Sequence, residues 1–71
     1  MNEPLAVKED RQDWYFTFGW GQPHQNCYHV IFGTYEEARL EMNLRFNRVW
    51  CGQYASAEEA GVAKFGLKQL K

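Results

Sequence analysis

The segment from Asp13 to Trp20, DWYFTFGW, constrains the fold of this chain more than any other stretch. Five of its eight residues are aromatic, and no charge follows Asp13 within it. Side chains alternate along a β-strand, so Trp14, Phe16 and Phe18 would share one face, with Tyr15 and Thr17 on the other. Bulky residues on both faces favour a central strand over an edge strand. We therefore predict that residues 13–19 form a central strand covered by the rest of the protein.

Two further strands and two helices are predicted downstream of this segment. The β-branched and aromatic residues of 27–32 indicate a second strand, and residues 48–54 indicate a third. Thr34 and Ser56 are each followed three residues later by a glutamate, which is the sequence signature of a capped helix N-terminus. The second of these helices is predicted to end at Gly66, because glycine is the commonest residue at a helix C-terminus.

Apolar residues at helical spacing identify the buried face of each predicted helix. In the first helix, Glu41 and Arg45 are spaced for an outer ion pair. Leu40 and Leu44 lie off the apolar stripe, which makes them candidates for exposed contacts. The residues predicted to face the core are Tyr35, Ala38, Met42, Phe46 and Val49 in the first helix and Ala60, Ala63 and Phe65 in the second.

These elements predict an α+β fold with the chain order β-β-α-β-α. The simplest sheet that places the aromatic strand centrally has three strands, mixed or antiparallel, in the order 2-1-3, with both helices on one face. Residues 13–71 would form this single domain. Residues 1–12 are polar and mixed in charge, so we expect a loosely ordered lead-in with a short edge strand over residues 5–7. The other sheet face would stay uncovered, and an uncovered apolar face of a sheet indicates an interface.

Size and composition limit the classes of function. A chain of 71 residues is expected to form one domain with a thin stability margin, and its 17% of aromatic residues supply the core. A domain this small is not expected to bury all of its aromatic rings, which predicts an exposed apolar patch and hence a partner. The net charge is −1 and the charged residues are spread along the chain, so the sequence does not predict the basic surface that nucleic-acid-binding proteins use. Because neither a membrane helix nor a signal peptide is recognised, we expect a cytoplasmic protein with reduced cysteines.

The polar loop 20–26 is the best candidate site in the sequence. It is longer than the usual hairpin connection, and long tips often carry function. A tryptophan beside two glutamines and a histidine combines an apolar ring with hydrogen-bonding groups, as recognition surfaces do. A solvated hairpin tip whose tryptophan folds back on the sheet explains the same residues equally well. The predicted partner-binding residues are Trp20, Gln22, His24 and Gln25, with Leu40 and Leu44 as the second choice.

The histidines and cysteines form no metal-binding or catalytic pattern. The spacing of His24, Cys27 and His29 matches no structural zinc motif, and in a 2-1-3 sheet Cys51 would lie a strand away. Cys27 and His29 share a strand face, but nothing in the sequence supplies an orienting acid or an oxyanion hole. We therefore predict no enzymatic activity, no metal and no cofactor. A thiol or metal enzyme built on these residues stays as a third hypothesis.

A series of short motifs follows in order along residues 13–70, namely Trp14-Tyr15-Phe16-Thr17-Phe18-Gly19, Gly21-Gln22-Pro23-His24, Tyr28, Gly33-Thr34-Tyr35-Glu36-Glu37-Ala38-Arg39, Met42, Arg45-Phe46, Trp50, Gln53-Tyr54, Glu58-Glu59-Ala60-Gly61-Val62 and Phe65-Gly66-Leu67. Through these motifs the chain resembles a family of short bacteriophage and prophage proteins, most of them called hypothetical. It departs from that family at His29, Phe32 and Cys51 and in residues 1–12. The resemblance implies a phage-encoded accessory protein in the host bacterial cytoplasm. Small phage proteins without catalytic motifs often occlude a host or defence complex, as anti-CRISPR proteins do.

The leading hypothesis is therefore a non-enzymatic, phage-encoded protein-binding module that inhibits a bacterial defence complex such as a CRISPR effector. Its partner would be a host or defence-complex protein, and an uncovered sheet face would also allow a homodimer. The alternative is a nucleic-acid-associated phage accessory protein that uses its sheet face. The first strand has no Lys or Arg among its aromatic rings, which disfavours that alternative. No membrane partner is expected.

Overall fold

The architecture is α+β, with four strands and two helices along residues 10–70, the part of the chain that a computed structural model describes. The strand predicted over residues 5–7 lies outside the described residues. The elements are β1 (Gln12–Thr17), β2 (Cys27–Gly33), α1 (Tyr35–Phe46), β3 (Gly52–Tyr54), α2 (Ala57–Ala60) and β4 (Lys68–Gln69). The first five follow the predicted order β-β-α-β-α, and β4 is an addition to it.

The sheet is mixed and has the strand order β3-β1-β2-β4. β1 pairs antiparallel with β2 and β3, and β4 pairs parallel with β2. β1 lies between β2 and β3 as predicted, but the prediction of a three-stranded sheet is wrong. The amide of Lys68 donates to the Asn26 carbonyl oxygen at 3.0 Å, and the amide of Leu70 donates to that of Tyr28 at 2.7 Å. A strand of only two residues has too little alternation to be recognised in a sequence.

The first sheet face carries the buried core, which lies between β1, β2 and α1. Phe16 is completely buried, and its ring meets the ring of Trp50 edge to face at a centroid distance of 5.2 Å. Burying such a side chain contributes on the order of 1.5–3 kcal/mol, so the aromatic residues of β1 hold that strand at the centre of the sheet. The core residues are Phe16, Phe18, Ile31, Ala38 and Met42.

Polar contacts fix the start and the outer surface of α1. The Thr34 side chain accepts a hydrogen bond from the Glu37 amide, and the Glu37 carboxylate accepts one from the Thr34 amide, which completes the predicted capping box. The Arg11 guanidinium donates to both carboxylate oxygens of Glu37, at 3.1 and 2.9 Å. These bonds from Arg11, followed by the bond from the Thr34 amide, hold the pKa of Glu37 below its ordinary value. On the outer surface, Glu41 and Arg45 form the predicted ion pair at 2.7 Å.

The buried face of α1 is narrower than predicted. Ala38 and Met42 are completely buried and Phe46 is half-buried, in agreement with the predicted stripe. Tyr35 and Val49 are exposed, so their assignment to the core is wrong. Tyr35 is the first residue of the helix, and Val49 lies beyond its end at Phe46, where the 3.6-residue period no longer applies.

The chain reverses direction between α1 and β3 through two consecutive residues with left-handed backbone. Asn47 has φ 52° and Arg48 has φ 66°, a region that non-glycine residues rarely adopt. The third strand therefore begins at Gly52 and not at residue 48 as predicted. The Cys51 amide already donates to the Thr17 carbonyl oxygen at 2.7 Å, which aligns this segment with β1.

The second helix is much shorter than predicted. Ser56 caps it by accepting a hydrogen bond from the Glu59 amide at 3.1 Å, as expected. Gly61, which we expected inside the helix, ends it instead because its φ of 78° is left-handed. A separate turn follows and closes at Gly66, where the Leu67 amide donates to the Val62 carbonyl oxygen. Ala63 and Phe65 are exposed in this turn, so their prediction as inner residues is wrong.

The two helices lie on opposite faces of the sheet. Tyr15 stands opposite Tyr54, and Thr17 stands opposite Tyr28, so these four residues share the second face, which points away from Phe16 and α1. Ala60 of α2 lines a cleft together with Thr17 and Tyr54. The prediction of both helices on one face is therefore wrong. β1 carries apolar side chains on both faces, and each face needs a cover.

Candidate functional site

An open cleft of about 300 Å³ lies on the second sheet face, between the loop 20–26 and the segment 61–67. We refer to it as the aromatic cleft. Most of its exposed lining is apolar, which is typical of ligand and peptide sites. The side chains that define it are Trp20, Tyr54, Phe65 and Leu67, with Thr17, Gln25, Cys51 and Ala60 among the other lining residues.

Two large apolar side chains at this cleft are left open to solvent. Trp20 is 88% exposed and Phe65 is 66% exposed. Exposed aromatic residues beside an apolar concave surface mark an interaction site more reliably than single exposed aliphatic residues do. The alternative in which Trp20 folds back onto the sheet is therefore not the observed one.

Two of the aromatic rings that form the cleft pack directly against glycines. A Cβ atom at Gly52 would come within 2.6 Å of the Tyr54 hydroxyl oxygen, and a Cβ atom at Gly61 would come within 2.5 Å of Phe65 Cδ2. Each ring therefore lies directly over a glycine, in space that any other residue would occupy. The positions of Tyr54 and Phe65 follow from these local contacts.

The two glutamines of the loop 20–26 hold its backbone. The Gln22 side-chain oxygen accepts a hydrogen bond from the Gly19 amide, and the Gln25 side-chain oxygen accepts one from the Gly21 amide at 2.9 Å. These bonds occupy the side-chain oxygens of two residues that we predicted to meet a partner. Gln22 does not line the aromatic cleft, whereas Gln25 does. Their main role in the structure is to fix the loop that presents Trp20.

His24 is directed to the first sheet face and not to the cleft. Its ring packs edge to face against Phe18 at 5.3 Å and against Phe46 at 5.5 Å. His24 therefore closes one end of the core. Of the four loop residues predicted as a site, the structure brings Trp20 and Gln25 together at the cleft.

Leu40 and Leu44 lie on the outward side of α1 and are 62% and 77% exposed. Their predicted exposure is confirmed. They do not line the aromatic cleft, so they form a separate apolar surface on the opposite side of the sheet from α2.

A second cleft, of about 370 Å³, lies between α1 and the segment 48–51 and is lined by Arg39, Asn43, Arg48, Trp50 and Cys51. We refer to it as the cationic cleft. The Arg39 guanidinium carbon lies 5.0 Å from the centre of the Trp50 ring, which is a cation–π distance. Cys51 lines both clefts, so the two are neighbours on the surface. The sequence does not predict this cleft, because only α1 and the turn at Asn47 together bring its two arginines to one surface.

Two of the residues considered for metal or thiol chemistry, Cys27 and His29, make contacts with other parts of the fold. Among residues 10–70, no three His, Cys, Asp or Glu side chains are grouped so that they could hold a metal ion. His29 Nδ1 lies 3.2 Å from the Leu70 carbonyl oxygen, and its ring packs against Phe46 at 5.5 Å. Cys27 is half-buried and packs against the core. His29 thus links β2 to the chain after β4, whereas Cys27 contributes to the edge of the core.

Comparison of the chain with protein-family models, with curated proteins and with solved structures returned no match. Neither helix in the described part of the chain has the length and the apolar character needed to cross a membrane.

Proposed function

We propose that this chain is a non-enzymatic protein-binding module that receives an apolar side chain of its partner in the aromatic cleft. The observation that carries the proposal is the pair of exposed aromatic rings, Trp20 and Phe65, that line the aromatic cleft. Rings seated over Gly52 and Gly61 lose little conformational freedom on binding, and preorganised aromatic residues are typical interface anchors.

The partner class in this proposal comes from the sequence resemblance to short phage proteins. A phage-encoded module without catalytic machinery would act by occlusion, and we assign it as an inhibitor of a bacterial defence complex such as a CRISPR effector, in the host cytoplasm. The size of the aromatic cleft supports a protein partner, because it suits one or two apolar side chains of a protein.

The test is binding to a purified CRISPR effector and to proteins captured from a host lysate, with variants that alter one surface at a time. Truncation of an aromatic anchor costs about 2 kcal/mol or more of binding free energy, so Trp20→Ala and Phe65→Ala should each weaken binding roughly 30-fold. The double variant of Leu40→Ala and Leu44→Ala is the matched control, because it removes an equally exposed apolar surface elsewhere.

Three outcomes are informative in this test. Loss of binding in the cleft variants alone supports the proposal. Loss in the leucine variant alone moves the interface to the outer side of α1, the second predicted site. Full binding by all variants rejects both surfaces.

A second candidate function, nucleic-acid association, is favoured by the two arginines next to exposed aromatic rings, since single strands bind through stacking and phosphate contacts. A gel-shift series with single-stranded DNA and RNA at rising salt separates the two functions. Phosphate contacts weaken steeply with ionic strength. Absence of a shift at low salt removes this candidate.

A further inference from the structure

The cationic cleft carries a second recognition element. We propose that Arg39, Asn43 and Arg48 bind a carboxylate of the partner protein, next to the apolar side chain held in the aromatic cleft. That the carboxylate belongs to a protein rests on the proposed function above. The presence of an anion site in the cationic cleft rests on the geometry of the cleft alone.

Charge is unbalanced at this cleft. Within residues 10–70, the other arginines are each bound to a glutamate, as Arg45 is to Glu41 at 2.7 Å. Over the same range, Arg39 donates only to neutral oxygens, and the Arg48 side chain has no hydrogen bond or ion pair. Two guanidinium groups thus line one cleft without an acidic partner in the described part of the chain. Guanidinium groups bind carboxylates with favourable, often bidentate geometry.

The Arg39 and Asn43 side chains are already oriented for such a ligand. Arg39 lies over the Trp50 ring and donates to Gln53 Oε1 at 3.3 Å, which holds the guanidinium in place while other N–H groups stay open. Asn43 Oδ1 accepts a hydrogen bond from Trp50 Nε1 at 2.9 Å. Because its oxygen is occupied, the Asn43 side chain offers its amide N–H groups as donors.

Arg48 has a backbone conformation that glycine adopts more readily than any other residue. Its φ of 66° is left-handed, and the residue before it, Asn47, is left-handed as well. Left-handed backbone is unfavourable for a long side chain and natural for glycine. Strained residues of this kind tend to lie at functional sites. A charged side chain with no hydrogen bond or ion pair in the described part of the chain, held in a strained position at the edge of a cleft, is consistent with a role in binding.

A single carboxylate fits this surface better than a polyanion does. The chain has a net charge of −1, and α1 carries exposed glutamates on the same helix as Arg39. Two arginines are sufficient for one carboxylate, whereas nucleic acid is bound by extended basic surfaces. The aromatic cleft lies beside the cationic cleft, with Cys51 in the wall of both. A protein segment with an acidic residue close to an apolar one matches both clefts.

The experiment is an NMR titration of the ¹⁵N-labelled full chain with N-acetyl-glutamate amide, and with N-acetyl-glutamine amide as the neutral match. The expected result is a saturable shift of the Trp50 indole, Asn43 amide and Arg39 Nε–H signals with the acidic probe only. Arg48→Gly should weaken this binding about two- to fivefold, which is the range for one exposed arginine–carboxylate contact. Arg45→Gln should leave binding unchanged.

Arg48→Gly is the decisive variant because its fold is expected to be at least as stable as the wild-type fold. Arg39→Gln should weaken the binding as well, and a thermal melt shows whether that variant is folded. Equal shifts with the neutral probe, equal weakening in Arg45→Gln, or no saturation would overturn the proposal. Tighter binding of single-stranded oligothymidylate that is lost in Arg48→Gly would reassign the cleft to nucleic acid and also overturn it.

The titration is independent of the proposed function. The probe has no apolar side chain, so its binding does not require the aromatic cleft. If Trp20→Ala and Phe65→Ala bind the protein partner normally, the proposed function fails while the titration result stands. If the partner binds through the aromatic cleft and the probe gives no shift, only the carboxylate site fails.

Discussion

Replacing Met42 by alanine tests the placement of the core most directly. Met42 lies on α1, is completely buried and packs in the cluster with Phe16 and Ile31. Truncation of a fully buried methionine costs about 2–5 kcal/mol, because transfer free energy is lost and a cavity remains. A chain of 71 residues has a total unfolding free energy of about 4–11 kcal/mol at typical values per residue. The substitution should thus remove between about a fifth and all of the stability.

Leu44→Ala is the matched control for that substitution. Leu44 is an aliphatic residue on the same helix, two positions further on, but it is 77% exposed. We expect its unfolding free energy to change by less than about 0.5 kcal/mol. Each kcal/mol corresponds to roughly 4–8 °C in Tm for a domain of this size. Met42→Ala should therefore melt at least about 8 °C lower than wild type, and Leu44→Ala within about 4 °C.

Urea unfolding followed by tryptophan fluorescence measures both variants, with the slope m checked for constancy. Equal losses in the two variants, or a larger loss in Leu44→Ala, would show that the other side of α1 faces the sheet. That result would refute the assignment of the first sheet face and the separation of the two apolar surfaces that depends on it.

Two further predictions concern local contacts. Because bonds from Arg11 hold the pKa of Glu37 below its ordinary value, the stability that they supply is fully present above that ordinary value and is lost as the pH falls through the lowered one. Arg11→Gln should flatten this fall in urea titrations at acid pH, and an unchanged profile would contradict the assignment. Gly61→Ala should be more destabilising than Gly66→Ala. Both positions have left-handed φ, which costs alanine about 1–2 kcal/mol, but only a Cβ at Gly61 meets the Phe65 ring. Equal Tm values for the two variants would mean that the Phe65 ring does not pack against Gly61.

The sequence was sufficient for the elements whose signals are local and regular. The aromatic alternation of β1 and the capping box at Thr34 predicted the central strand and the start of α1. It was not sufficient for the strand at Lys68, because two residues carry no period, or for the end of α2 at Gly61. At that position, a glycine with left-handed backbone ends the helix, whereas the sequence after the capping signal at Ser56 predicts a longer one.

The candidate site was less predictable because its residues are distant in the chain. Trp20 was identified from a long polar loop, but Phe65 and Tyr54 join it only through the fold. The signal that was present is a glycine placed shortly before each ring, at Gly61 and Gly52, which leaves space for the ring to lie back. The cationic cleft depends on the left-handed turn before Arg48, and backbone handedness at a non-glycine residue has no sequence signature.

The position of Cys51 in the wall shared by both clefts has a practical consequence. Its thiol is exposed, and the only other cysteine of the chain, Cys27, is half-buried. A thiol-directed fluorophore attached at Cys51 in a Cys27→Ser background would stand at the boundary between the apolar and the charged contact. Its emission would report in real time when either ligand group arrives, and a bulky adduct at the same sulfur would block both at once.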